Sequence, residues 1–226
     1  MSPTSRIPVK PLSEEVAQRI RVMIRKGMLS TGDRIVESQL CQAMGISRTP
    51  LREAIRILGT EGLIKLVPNR GAYVAQPSMK EIKELFEVMS ILEGACARMV
   101  AETLTDSDFK KIEKLHLKLE KHFLAKDHER YLKVNSQFHH LLQELTGNQV
   151  LNEVINGLRH KILLYRYRQL YERDRFEASI TEHRNLLEAL RRRDPAAAES
   201  LMKIHLLNQC EALRSVYEDK DAQDDT

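Results

Sequence analysis

The sequence contains no tryptophan, and phenylalanine and tyrosine together supply only 5% of its residues. Any core must therefore be built mainly from Leu, Ile, Met and Ala. From Met79 to the C-terminus there is one proline, Pro195, and there are three glycines, so very little interrupts helical periodicity. This scarcity predicts that the second part of the chain is all α-helical.

Cysteine is also scarce. Cys41, Cys96 and Cys210 are odd in number and far apart, which argues against a disulfide framework or a cysteine-based zinc site and favours reduced thiols. The N-terminus lacks the apolar core of a signal peptide, and no stretch approaches the ~20 apolar residues that cross a bilayer. We therefore expect a cytoplasmic protein with no membrane partner.

The 226 residues are enough for two modest domains, and charge is divided unevenly between them. Residues 1–78 contain twelve Lys and Arg against six Asp and Glu, a net charge of +6. Because the whole chain carries +4, the remainder carries −2. A basic N-terminal part is the electrostatic pattern expected of a domain that binds nucleic acid.

The segment from Gly45 to Ile64 has the pattern of a helix that enters the major groove of DNA. Gly45 ends a short helix, Ser47 occupies an N-cap position that predicts a side-chain cap, and Pro50 falls in the first turn of the next helix. Leu51, Ile55, Leu58 and Leu63 recur on one face, which we expect to be buried. The polar residues crowd the helix N-terminus, where base edges and phosphates are contacted: Ser47, Arg48, Thr49 and Arg52.

A β-hairpin is predicted directly after this helix. Residues 63–67 and 72–75 are two short β-prone runs, and Pro68-Asn69-Arg70-Gly71 between them is a turn with a cation at its tip. This hairpin has the character of a wing, with Arg70 placed to reach a phosphate or a minor groove.

Six helices are predicted beyond the linker at Ala75-Gln76-Pro77. Their expected limits follow from caps and apolar stripes: from Ser78 to about Glu102, from Thr105 or Asp106 through Phe123, 127–145, 149–171, 176–192, and from Asp194-Pro195 onward. We thus predict a mainly α protein with two domains, a winged helix-turn-helix in 1–77 and a helical bundle in 78–226.

Four polar residues are expected to converge inside this bundle. Asn135 and His139 are four apart on one helix, so they share a face. His183 and His205 lie eleven residues before and after Asp194, which begins the connection between two antiparallel helices, so they stand at the same height. Three imidazoles and an amide oxygen suit Zn²⁺, or Ni²⁺ or Mn²⁺, with positions left open for a ligand; hydrogen-bonded core histidines are the alternative.

Two resemblances extend these predictions. Residues 12–75, through SRTPLREAI and PNRGAYV, resemble the winged helix-turn-helix of the GntR family of transcription regulators, and 79–215, through NSQFHHLLQELTGNQVL and EHRNLLEALRRRDPAAAESLM, resemble the FCD domain of its FadR subfamily. The resemblance implies a homodimer on an inverted-repeat DNA operator. It implies DNA contacts from Ser38, Ser47, Arg48, Thr49, Arg52, Asn69, Arg70 and Gly71.

The second resemblance also implies a metal shell and a small carboxylate effector. An Asp, a His four residues later and two further His in metal-binding members map onto Asn135, His139, His183 and His205, so Asn135 replaces a carboxylate. Met89 stands where many relatives carry Arg. Two other cations, Arg159 and Arg166, are candidates for holding the effector.

The sequence therefore predicts a transcriptional regulator controlled by an effector rather than an enzyme. One alternative is a metal-free regulator that responds to acyl-CoA or another anion. A more distant alternative, a metal-dependent hydrolase, is disfavoured because there is no HExxH motif, no second carboxylate is expected to serve as a general base beside His139, and Glu182 is expected to point away from the histidines.

Overall fold

The chain forms two compact units, residues 1–76 and 77–226. The computed structural model describes the backbone of residues 11–169 and 174–224, and the side chains of these residues except 25, 160–169 and 215–224. The described residues are mainly helical, with a small antiparallel sheet in the first unit, as the sequence predicts.

The first unit is a three-helix head with a three-stranded sheet. Its packing comes mainly from α1 lying against α3. Val16, Ala17 and Ile20 of α1 are buried, as are Leu51 and Leu58 of α3. The elements in chain order are α1 (Leu12–Arg25), β1 (Arg34–Ile35), α2 (Glu37–Met44), α3 (Arg48–Thr60), β2 (Ile64–Val67) and β3 (Gly71–Val74).

The hairpin β2–β3 forms where the sequence predicts it, and β1 is an addition. β3 is the central strand, because β1 pairs with it on the opposite side from β2, with Arg34 opposite Tyr73 and Ile35 opposite Ala72. A two-residue strand has almost no local signal and depends on its partner. The pairing of β1 with β3 holds the base of the β2–β3 wing against the rest of the first unit.

Ser47 is at the N-cap position that the sequence predicts, but the expected side-chain hydrogen bond is absent. Ser47 is the N-cap residue of α3, but its side chain makes no capping hydrogen bond. An N-cap hydroxyl usually accepts from the N–H two or three residues on, and the third position here is Pro50, which has no N–H. The Ser47 side chain therefore stays exposed at the start of α3.

The second unit is a helical bundle in which α4 lies along α9, α5 packs on α6 and α8, and α8 packs on α9. Gly94 permits a close approach of α4 to α9, since a Cβ there would lie 2.9 Å from Cγ of Lys203. The helices are α4 (Met79–Thr103), α5 (Asp106–Leu124), α6 (His128–Leu145), α7 (Gln149–Gln169), α8 (Arg175–Arg191) and α9 (Pro195–Asp224).

Most helix starts in this unit lie where the sequence predicts them. Ser78 and Glu81 form a reciprocal capping box at the start of α4, while Thr105 and Asp127 accept backbone hydrogen bonds at α5 and α6. Asp194 does the same for α9, accepting from the Ala197 N–H at 3.0 Å. These caps set the register in which each helix presents its inward face.

No helix within the described ranges is both long and apolar enough to cross a membrane.

His116 on α5 is a buried imidazole outside the predicted metal cluster. Burial lowers the pKa of His116 below its usual value, so the folded state holds it neutral. Protonation of His116 therefore destabilises the folded state: this cost is absent above the unfolded pKa near 6.5 and grows as pH falls toward the folded value. Among the described residues its Nε2 has no hydrogen-bond partner.

We expect His116→Leu to raise the free energy of unfolding at pH 5 by on the order of 1 kcal/mol, with a smaller gain at pH 7.5. The substitution removes a buried nitrogen whose contact with Oε1 of Glu120, at 3.8 Å, is too long for a hydrogen bond, and it removes the cost of protonating that nitrogen. Urea denaturation at the two pH values measures the difference, and exposed His140→Leu is the control. An equal effect at both pH values would contradict this explanation.

Candidate metal centre and nucleic-acid interface

All eight residues expected to contact DNA are exposed on the first unit. Ser47, Arg48 and Thr49 lie at the N-terminus of α3, where helix geometry favours contacts with anions. Arg52 lies one turn further along, and its Nε donates to Oε2 of Glu37 at 2.9 Å, which ties α3 to α2. The remaining members are Ser38 in α2 and, in the wing, Asn69, Arg70 and Gly71.

Asn69 and Gly71 have a structural role in the wing besides any contact with DNA. Both have positive φ, +61° and +104°, a region that Gly and Asn tolerate and most other residues avoid. They shape the turn that leaves Arg70 exposed at its tip. A cation that the sequence argument did not select, Arg34 of β1, lies near the base of the same turn, with its Nε 3.8 Å from the position a Gly71 Cβ would occupy.

The four residues predicted to bind metal meet inside the second unit. One ligand atom from each of His139, His183 and His205 lies within 4.8 Å of the others, and all three residues are at most 2% exposed. Asn135 is 5% exposed, and its Oδ1 accepts from Nε2 of His183 at 2.6 Å. Of the two neighbouring histidines, His139 is buried and His140 is exposed.

Two carboxylates that the sequence argument missed orient two of the imidazoles. Nδ1 of His139 donates to Oε2 of Glu93 at 2.5 Å, and Nδ1 of His205 donates to Oε2 of Glu182 at 2.6 Å. With Nδ1 protonated, the lone pair of each ring is on Nε2. Histidine ligands of metal ions usually donate their second ring N–H to a carboxylate, a backbone carbonyl or water, and a carboxylate serves for both rings here.

The expectation for Glu182 is therefore wrong. Glu182 does not point away from the cluster, because α9 packs on α8 and brings His205 to it. Glu93 supplies a carboxylate beside His139 although it is distant in sequence. The available signal was a carboxylate within the buried side of α4, one turn beyond buried Met89 and one turn before buried Ala97.

Each carboxylate is paired with a guanidinium. Arg159 Nη2 donates to Oε1 of Glu93 at 3.1 Å, and Arg175 donates to both oxygens of Glu182 at 2.8 and 2.6 Å. Burial by itself would raise the pKa of Glu182, but hydrogen bonds from Arg175 and His205 lower it to about 2. Glu182 is therefore a carboxylate at neutral pH.

Burial lowers the pKa of His183 far below its usual value, and neighbouring His205 and His139 add to the shift. The imidazole is thus neutral, which is the form that binds metal. The chemistry of the donors fits a borderline divalent cation such as Zn²⁺: three imidazole nitrogens and one amide oxygen, from three helices, in a buried site.

Arg159 and Arg166 are the two residues expected to hold the effector. Arg159 is buried, and its Nε has no hydrogen-bond partner among the described residues, so it retains a donor beyond its contact with Glu93. The side chain of Arg166 lies outside the described residues. Gln143, one turn beyond His139 on α6, is buried with both amide atoms unpaired within the described part of the chain.

Comparisons with known proteins identify the family of each unit. The gntR family of bacterial regulatory proteins matches residues 12–74, and the FCD domain matches residues 84–208. The chain is 28% identical over 203 residues to the uncharacterized HTH-type transcriptional regulator YdhC of Bacillus subtilis, covering 89% of this chain and 90% of that protein.

Two further similarities concern proteins of Escherichia coli. The HTH-type transcriptional repressor RspR is 26% identical over 216 residues, covering 94% of this chain and 93% of that protein. The structure of McbR/YncC superposes with a TM-score of 0.77 at 22% identity, over 92% of this chain and all of that one, which shows the shared fold. The chain therefore belongs to the gntR family of bacterial regulatory proteins and is a DNA-binding transcriptional regulator with an FCD domain.

Proposed function

We propose that this regulator, a member of the FadR subfamily, senses a small carboxylate at a divalent metal ion held by His139, His183, His205 and Asn135. Zn²⁺ is the preferred ion, and Ni²⁺ or Mn²⁺ also suits the donors. When bound, the metal supplies a Lewis-acidic site for an anion. The residues of the chain orient the imidazoles and keep the site out of bulk water.

The charge of the site is the observation that carries this proposal. Glu93 and Glu182 are paired with Arg159 and Arg175, and imidazoles must be neutral to bind a metal ion. A divalent cation would add two positive charges to a buried, balanced site, which is costly unless an anion follows. A carboxylate on the metal meets that requirement, and the spare donors of Arg159 and Gln143 offer it hydrogen bonds.

The metal-free, anion-responsive regulator remains the second candidate, because the cluster is also hydrogen-bonded without an ion. Asn135 accepts from His183, and the Gln209 amide nitrogen donates to Nε2 of His205 at 2.6 Å. These contacts occupy two of the nitrogens that a metal would need. Metal analysis of the purified protein separates the two candidates.

The hydrolase alternative gains nothing from Glu93. Its two oxygens are engaged by His139 and Arg159, so the carboxylate acts on the ring orientation and does not face an open coordination position as a general base would. The related proteins are transcriptional regulators, which also favours a binding function.

We propose that the protein acts as a homodimer on an inverted-repeat operator, and its cytoplasmic location stays a prediction. Exposed apolar side chains on the second unit support an interface between copies: Val88 and Ile91 on α4, Val150 and Val154 on α7, and Ile204 and Leu207 on α9. Two copies would present two copies of α3 to successive half-sites of the operator.

Selection from a random duplex pool, followed by binding at several salt concentrations, tests the DNA-binding part. We expect an inverted repeat to be recovered, and log K to fall with log salt at a slope of about −5 if each head neutralises three phosphates. The physical reason is counterion release by two basic heads. A flat plot, or a selected pool without repeat symmetry, would contradict the proposed mode of binding.

A further inference from the structure

Two hydrogen bonds, both made by Glu93, connect the candidate metal ligand His139 to the buried cation Arg159. Oε2 of Glu93 accepts from Nδ1 of His139, and Oε1 accepts from Nη2 of Arg159. The Glu93 side chain is 2% exposed and that of Arg159 is 10% exposed, so water screens neither charge well. A single carboxylate is thus shared between a proposed metal ligand and a guanidinium.

The two neighbours of Glu93 act on it in opposite directions. A carboxylate hydrogen-bonded to Nδ1 makes an imidazole a more basic ligand through Nε2. A guanidinium on the other oxygen withdraws part of that negative charge and also repels a nearby cation. The strength of the metal site should therefore depend on how firmly Arg159 holds Glu93.

An anion can compete with Glu93 for Arg159 more easily than with Glu182 for Arg175. Arg175 holds Glu182 with two short hydrogen bonds, from Nη1 to one oxygen and from Nη2 to the other. Among the residues described, Arg159 makes one hydrogen bond, of 3.1 Å, and its Nε has no partner. An incoming anion can therefore pair with Arg159 at the cost of a single contact.

We propose that Glu93 is the positioning residue that sets the strength of the metal site through His139, and that Arg159 opposes it. An anion that draws Arg159 away from Glu93 then tightens the metal, so effector and metal bind with positive coupling. This regulation rests on the proposed metal site. It assigns to Arg159 a role besides direct contact with the effector.

Substitutions at the two positions should change zinc affinity in opposite directions. Glu93→Gln keeps a hydrogen-bond acceptor but removes the charge, and we expect it to weaken Zn²⁺ binding by about 10- to 100-fold. Arg159→Gln keeps a donor for Glu93 but removes the opposing charge, and we expect binding at least about 3-fold tighter. Arg191→Met, which removes an exposed cation paired with Glu113 and Glu188, is the control and should leave affinity unchanged.

Competition of the full-length, metal-stripped protein against a chromophoric chelator measures these affinities, with circular dichroism as the check on folding. If Arg159→Gln does not fold, Arg159→Met provides the same loss of charge with an apolar chain. Weaker binding in both the Glu93 and Arg159 variants, or no change in either, would overturn the proposal while leaving the metal site standing. A wild-type protein that does not bind Zn²⁺ would overturn both.

Discussion

Replacing His183 with alanine is expected to weaken Zn²⁺ binding by at least 100-fold. Loss of an outer hydrogen-bond partner already costs about 10- to 100-fold, and a ligand atom contributes more. His183 is one corner of a triangle of rings, with its centroid 5.6 Å from that of His139 and 4.7 Å from that of His205. Calorimetric titration of metal-stripped protein measures the change.

Two further variants serve as a control and as a test in the opposite direction. His140→Ala removes an exposed imidazole next to His139 and should leave the affinity as in wild type. Asn135→Asp adds a carboxylate where an amide oxygen now faces His183, and should tighten the ion by about tenfold or more because it supplies negative charge to a buried cation. If zinc binds no tighter than millimolar in wild type and Asn135→Asp changes nothing, the histidines are not a metal shell.

Arg48→Ala is expected to weaken operator binding by about 1 to 3 kcal/mol while the head remains folded. Arg48 is the first residue of α3 and is exposed, so its loss removes a charged contact without disturbing the core. Arg52→Ala should cost less, since the Arg52 guanidinium is already hydrogen-bonded to Glu37. Fluorescence anisotropy on a selected operator gives both values.

Arg56→Ala is the matched control for these variants. Arg56 lies one turn further along α3, is exposed and pairs with Glu53, so it carries the same charge away from the N-terminus of the helix. Its loss should change operator affinity less than twofold. Equal losses for all three arginines would mean that net charge, and not the placement of α3, determines binding.

Local signals in the first unit were sufficient to predict most of its fold. Gly45 ends α2 in the left-handed conformation, and the turn at Pro68 to Arg70 joins two strands whose limits follow from β-prone runs. The strand β1 was missed because its two residues acquire their conformation by pairing with β3. The absent cap at Ser47 was predictable, since Pro50 is visible in the sequence.

In the second unit, helical spacing identified the histidines but not their partners. The i to i+4 spacing of Asn135 and His139, and the symmetry of His183 and His205 about Asp194, depend only on positions along helices. The contacts of Glu93 with His139 and Arg159 join α4, α6 and α7, and no spacing within one helix predicts which residues meet across three. The position of Glu93 on the buried face of α4 could be predicted from the sequence, but its contacts with His139 and Arg159 could not.

Anomalous scattering at the zinc absorption edge, from crystals of the full-length protein grown with Zn²⁺, tests most directly whether the three imidazoles hold a metal ion. We expect one strong peak per chain at about 2.0 to 2.1 Å from Nε2 of His139 and Nε2 of His205, and from a ring nitrogen of His183. Well-ordered imidazoles with no anomalous peak between them, in crystals containing zinc, would contradict the metal site and favour direct binding of the anion.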